Sequence, residues 1–279
     1  MENKKKFRHF LLVPPVMSFI LMILGSLIGM IIYAVCRQAV SDSAWLFLFE
    51  SYGVFTGIWI ITIIYLAIFE KDILKNVFNG LNGNNFKMLM IGNAIGFSMN
   101  MICALVAMLH KDIALSFSGF DIPYLLVAAV LVFIQSSAEE LICRGYMHMA
   151  LRERYGVIIA AIINSSFFMA MHLGNDGITW ISLAEIFIIG ICATVMVECY
   201  DSLWMAFALH ASWNYTQNII LGLPNSGLVS EKAIMHLDAA GSSIFYDKVF
   251  GLEGGITSVI VCVIVSVVLY LLAKKKNEA

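Results

Sequence analysis

The sequence predicts an all-α, polytopic transmembrane bundle of about eight spans, on three observations. First, 61% of the 279 residues are hydrophobic and only 13% are charged, with a mean hydropathy of +0.88, where a soluble domain carries about a quarter charged residues. Second, the apolar residues fall in blocks of roughly 20, the length that crosses a bilayer core. Third, lysine and arginine gather at the ends of those blocks. A soluble globular class is excluded. Short basic clusters at helix ends give no support to nucleic-acid binding, and the bilayer is the partner that composition requires.

The first block follows MENKKKFRHF, which resembles the charged start of a signal peptide. The apolar run from Val16 to Cys36 is too long for a typical signal core and no small-residue cleavage site follows it, so a retained helix over 16–36 is expected. Further spans are expected over 45–69, 88–109, 122–152, 156–173, 178–198, 202–222 and 256–273. The fourth is longer than a bilayer needs. Leu223 to Gly255 is the only long loop, and no repeat or composition shift divides the chain, so residues 1–279 read as one integral membrane domain.

Basic residues set the orientation. Lys4, Lys5, Lys6, Arg8, Lys71, Lys75, Lys87, Arg152, Arg154, Lys274, Lys275 and Lys276 fall on one side, twelve against the four of Arg37, Lys111, Lys232 and Lys248. Both termini are therefore expected in the cytoplasm and the 223–255 loop outside. The six cysteines (Cys36, Cys103, Cys143, Cys192, Cys199, Cys262) include no CxxC pair and read as small packing residues rather than a disulfide framework or zinc site.

Several residues do not belong in a bilayer. Ala138 to Tyr146 reads AEELICRGY in the middle of the fourth span. A central Glu or Arg costs about 2.5–3.5 kcal/mol on insertion scales, while a Leu or Ile returns only about 0.3–0.6 kcal/mol. Glu140 and Arg144 stand at i and i+4 and can pair on a helix. Glu139 points about 100° away, with no partner on its own helix. The fifth span carries SFFMAMHLGN, with His172 one turn after Phe168, and the seventh carries SLWMAFALHASWN, with His210 and Asn214 on one face. A lone histidine in an apolar helix is more often a hydrogen-bonded packing residue. Two of them with an asparagine and an unpaired glutamate favour a functional site, because the bilayer penalises idle ionisable groups.

If the fourth helix runs to Arg152 and turns at RERYG, Glu139 and His172 both lie about 20–24 Å from that turn and face each other across a helical hairpin. His210 lies only about 12 Å from its own turn at Asp201, so it fits the common depth less well. A carboxylate and a histidine flanking a water can remove its proton and present hydroxide to a carbonyl. A second histidine with an asparagine amide can hydrogen-bond the developing oxyanion. That combination describes amide hydrolysis without a cofactor. HExxH is absent, yet Glu139, His172 and His210 could instead hold one divalent cation such as zinc. The residues alone leave these two mechanisms open.

The three motifs together resemble the CAAX-protease and bacteriocin-processing family of intramembrane proteases, whose pattern is EExxxR, FxxxH and HxxxN on three helices of an eight-span bundle. Glu139, Glu140 and Arg144 match the first element, Phe168 and His172 the second, and His210 and Asn214 the third. Gly145 and Tyr146 and the Ser202–Leu203–Trp204 run fit the flanks; Cys143 and Glu198 depart from them. The resemblance covers about residues 122–215. It implies that Glu139 and His172 activate water, that His210 and Asn214 bind the oxyanion, and that Glu140 and Arg144 brace the site or orient substrate, preferably without a metal. The implied substrate is a membrane-associated peptide or a protein's C-terminal tail. A non-catalytic bacteriocin-immunity or scaffold protein of the same fold is the alternative, and the presence of all seven motif residues argues against it. A proton-relaying transporter would predict inverted repeats and broken helices, and the sequence suggests neither. Glu185, in mid-span, is expected either to line the cavity near the histidines or to stay a protonated interior carboxyl. Asn164 is expected to bridge helices.

Overall fold

The structure is a computed structural model that describes residues 9–278; Lys4, Lys5, Lys6 and Arg8, used above for orientation, lie outside the described residues. Eight helical segments follow the apolar blocks: α1 (Val13–Ala39), α2 (Ser43–Phe69), α3 (Phe86–Leu109), α4 (Ile122–Tyr155), α5 (Val157–Met171), α6 (Trp180–Tyr200), α7 (Leu203–Asn214, continued by wide turns over Tyr215–Ile220) and α8 (Ile256–Glu278). Six of them are long and apolar enough to cross a bilayer, so the count of eight spans is approximate. Helix α5 has 15 residues, about 22 Å against a hydrocarbon core of about 30 Å. The α7 segment is the other exception. The protein is an integral, multi-pass membrane protein.

Local sequence accounts for the helix boundaries. Asp121 caps α4 by accepting from the Tyr124 N–H, with a proline in the first turn. The expected turn after RERY is made by Gly156, whose φ of +83° separates α4 from α5 in a single residue. Thr179 and Ser182 cap α6 reciprocally. Ser202 caps α7 through the Met205 N–H, and Asn84 Oδ1 accepts from the backbone of Leu203 and Trp204. The start of the helix that carries His210 is thereby tied to the segment before α3.

Close backbone packing sets the depth of that helix. Gly92 and Gly96, one turn apart on α3, face the Met205 and Leu209 carbonyls of α7 so closely that an added Cβ would overlap both oxygens. Small residues permit this approach where lipid supplies no hydrophobic drive between helices. No strand was expected, yet Ile113–Phe117 (β1) pairs antiparallel with Met235–Ala240 (β2), from Ile113 opposite Ala240 to Phe117 opposite Met235. The 223–255 segment is thus an ordered cap over the loop ends of the bundle. All six cysteines are unpaired, and Cys103, Cys143, Cys192 and Cys262 are buried.

Candidate active site

Glu140 is the most heavily used carboxylate at the centre of the bundle. Its Oε1 accepts from Arg144 Nη1 at 3.0 Å, as the i,i+4 spacing predicts, and lies 3.0 Å from His210 Nδ1. The second contact, across 70 residues of sequence, was not anticipated. Arg144 is fully buried. Its guanidinium stacks 4.6 Å from the Phe168 ring centroid and borders Gly190 of α6, where an added Cβ would come within 2.6 Å of Nη2. Phe168 is the hub of this layer: His172 and His210 also meet its ring, at centroid distances of 4.9 and 5.7 Å.

Glu139 faces elsewhere. Its Oε2 lies 3.7 Å from His210 Nε2 and has no hydrogen-bond partner among the described residues. The side chain borders a cavity of about 240 Å³ that His172, His210 and Asn214 also line, with Asn225 and Ser226 from the cap. Directly after the two glutamates the helix widens into i→i+5 turns over Leu141–His148, a distortion found often at functional sites.

Hydrogen bonding orients both imidazoles. His172 stands at the end of α5, not within it, and its Nδ1 lies 2.8 Å from the Phe168 carbonyl. A carbonyl only accepts, so Nδ1 carries the proton and Nε2 keeps a lone pair. Beside a Glu140 carboxylate the same reasoning places a proton on His210 Nδ1. The Asn214 amide donates to Gln135 Oε1 and Ser136 Oγ, both at 3.1 Å, and its oxygen accepts from Asn225 at 3.2 Å.

The motif residues Glu139, His172, His210 and Asn214 therefore meet at one cavity, while Glu140, Arg144 and Phe168 form the layer beside it. A three-residue metal site is a different matter. Among the described residues no group of three His, Cys, Asp or Glu side chains is arranged to hold an ion. Glu139, His172 and His210 line one cavity without forming such a group.

Four further polar residues lie outside the motifs. Glu253 of the cap is buried and accepts from Gln217 Nε2 at 2.6 Å, Asn225 Nδ2 at 2.6 Å and Trp213 Nε1 at 3.1 Å. Asn225 thereby links Glu253 to Asn214. Glu185 borders a second, smaller pocket beside His172 and His210, but its hydrogen bond is to the Cys262 thiol of α8, at 3.4 Å. Glu198, an oddity in the sequence, meets His148 Nε2 at 2.8 Å and Arg152 Nη1 at 2.5 Å. Asn164 contacts His148 Nδ1 at 3.1 Å and so bridges α5 to α4, as expected of such an amide. No short motif announces any of these contacts; a polar residue within an apolar span, at Glu185, Glu198 and Asn164, was the available signal.

The protein is a polytopic helical membrane protein with paired carboxylates, two imidazoles and an amide at one buried cavity. Residues 121–216 match the family model described as Rce1-like, type II CAAX prenyl endopeptidase, so the motif-bearing part of the chain is similar to that family. No curated protein matches the chain.

Proposed function

We propose that the protein is an intramembrane endopeptidase that hydrolyses a peptide bond in a membrane-associated peptide or protein tail by means of a glutamate-activated water. The family match supports CAAX-type peptidase chemistry. The observation that carries the mechanism is the contrast between adjacent glutamates: Glu140 Oε1 bonds Arg144 and His210, while Glu139 makes no hydrogen bond through Oε2 and borders the cavity.

In this reading a water lies against Glu139 and the Nε2 lone pair of His172. Glu139 takes one proton, the hydroxide adds to the scissile carbonyl carbon, and the proton passes to the leaving amine as the C–N bond breaks. His210 serves the oxyanion when both ring nitrogens are protonated, with Glu140 accepting from Nδ1 and Nε2–H turned to the cavity. Asn214 joins it by exchanging its bond to Gln135 or Ser136 for one to the oxyanion. Glu140 and Arg144 hold this arrangement in place.

The test is cleavage of a library of membrane-tethered peptides by the purified full chain, with and without chelator. Cleavage that survives chelation and vanishes in Glu139→Gln is expected. Wild-type-like cleavage by Glu139→Gln would remove the proposed base, and loss of activity on chelation would replace the metal-free mechanism.

A further inference from the structure

Following the chain through its spans shows which face the cavity opens on. From α1 onward, the start of α1, the end of α8, the segment between α2 and α3, the Gly156 turn and the α6–α7 turn lie at one end of the bundle. The segments 110–121, 172–179 and 221–255 lie at the other. Asn175, Asn225, Ser226 and Leu228, which border the Glu139 cavity, all come from that second, loop end. Towards the terminus end the path is closed, since every residue from Leu141 to Leu151 is buried. The His148–Asn164–Glu198 contacts tie α4, α5 and α6 together below the site. Among the described residues, and leaving aside the buried Arg144, the basic residues fall eight to four in favour of the terminus end, the bias that keeps a face in the cytoplasm.

We infer that the catalytic cavity opens to the extracytoplasmic face, and that its substrate is a weakly charged, amphipathic peptide segment presented from that side. The inference rests on the peptidase reading for the substrate and on loop placement for the side of access. The cavity chemistry carries the substrate class. Ser26, Ser51, Gln135 and Asn225 offer neutral hydrogen-bonding groups suited to peptide amides, and Phe55 and Ile58 offer apolar wall. Among the described residues no lysine or arginine borders the cavity to select an acidic segment. Secreted or translocated peptides at the outer leaflet satisfy this chemistry, whereas a tail confined to the cytoplasm cannot reach the site.

Cysteine accessibility in sealed membranes tests the side of access independently of activity. Cys36 and Cys199, the two cysteines that are not buried, are first replaced by serine. Leu228→Cys at the cavity mouth and Lys75→Cys at the terminus end are then exposed to a membrane-impermeant maleimide. Leu228→Cys should label on intact cells and lose labelling on sealed inverted vesicles, with Lys75→Cys behaving oppositely. Labelling of Leu228→Cys only on inverted vesicles would overturn the inference. In parallel, an impermeant quenched peptide should be cleaved by intact cells and by detergent-purified protein, but not by inverted vesicles. Failure of the purified protein to cleave any peptide overturns the peptidase reading and the substrate with it, while the labelling result still decides the face.

Discussion

Replacing each of the two adjacent glutamates by glutamine should separate chemistry from folding. Glu140 is 2% exposed, and its Oε1 serves both Arg144 and His210 at 3.0 Å. Glu140→Gln keeps the shape but removes the only carboxylate bonded to a fully buried guanidinium among the described residues. Breaking a buried ion pair from one side costs about 3–5 kcal/mol, or roughly two to four orders of magnitude in a folding equilibrium. Glu139 bears no such duty, so Glu139→Gln should leave the melting temperature in detergent unchanged or slightly raised. It should reduce cleavage by about 10²–10⁴-fold, the range for loss of a general base. Thermal unfolding, membrane abundance and peptide cleavage of the two variants, measured side by side, form the assay. Adding Arg144→Met to Glu140→Gln should restore part of the lost stability without restoring cleavage, because the stranded charge is gone. A destabilised Glu139→Gln beside a stable but inactive Glu140→Gln would refute the assignment and exchange the two roles.

Other substitutions probe the supports of the site. Gly96→Leu drives a side chain into the Leu209 carbonyl, one residue from His210, and should cost about 1–3 kcal/mol or more as overpacking, read as a lower melting temperature with reduced cleavage. Glu253→Gln turns an NH₂ group against the donors of Gln217 or of Asn225 and Trp213. It should cost about 1–3 kcal/mol and lower kcat more than it raises KM, through misalignment of Asn214; a Michaelis–Menten series on the purified variant checks this. Phe168→Leu retains apolar bulk but removes the ring beneath Arg144, and should lose about 0.5–2 kcal/mol of cation–π attraction in an unfolding measurement.

Much of the bundle was legible because a bilayer demands apolar length, and six of the blocks are long and apolar enough to meet it. The strands escaped because IALSF and MHLDAA are short, carry no sustained alternation and acquire meaning only when two distant loops meet. The site divides in the same way. Glu140–Arg144 is a local i,i+4 relation, so its 3.0 Å bond could be foreseen. The histidines and Asn214 were marked by the cost of polarity in a span. Glu253 and Asn225 sit in a polar loop, where polarity signals nothing, and their links to Gln217 and Asn214 form only through the folded cap.

The expectation at Glu139 shows how far local geometry reaches. Helical spacing established that it could not share the partner of Glu140, and the folded chain adds where it points instead, toward a cavity bordered by His172, His210 and cap residues. Adjacent carboxylates in a bundle diverge by about 100°, so one can be neutralised by the protein while the next remains uncommitted. A single buried carboxylate would have to satisfy the fold and take the proton at once. Two in succession let Glu140 pair with Arg144 and contact His210, and leave Glu139 free for the proposed role of base. This division of labour gives a physical reason for the doubled glutamate, and it is what the paired glutamine variants measure.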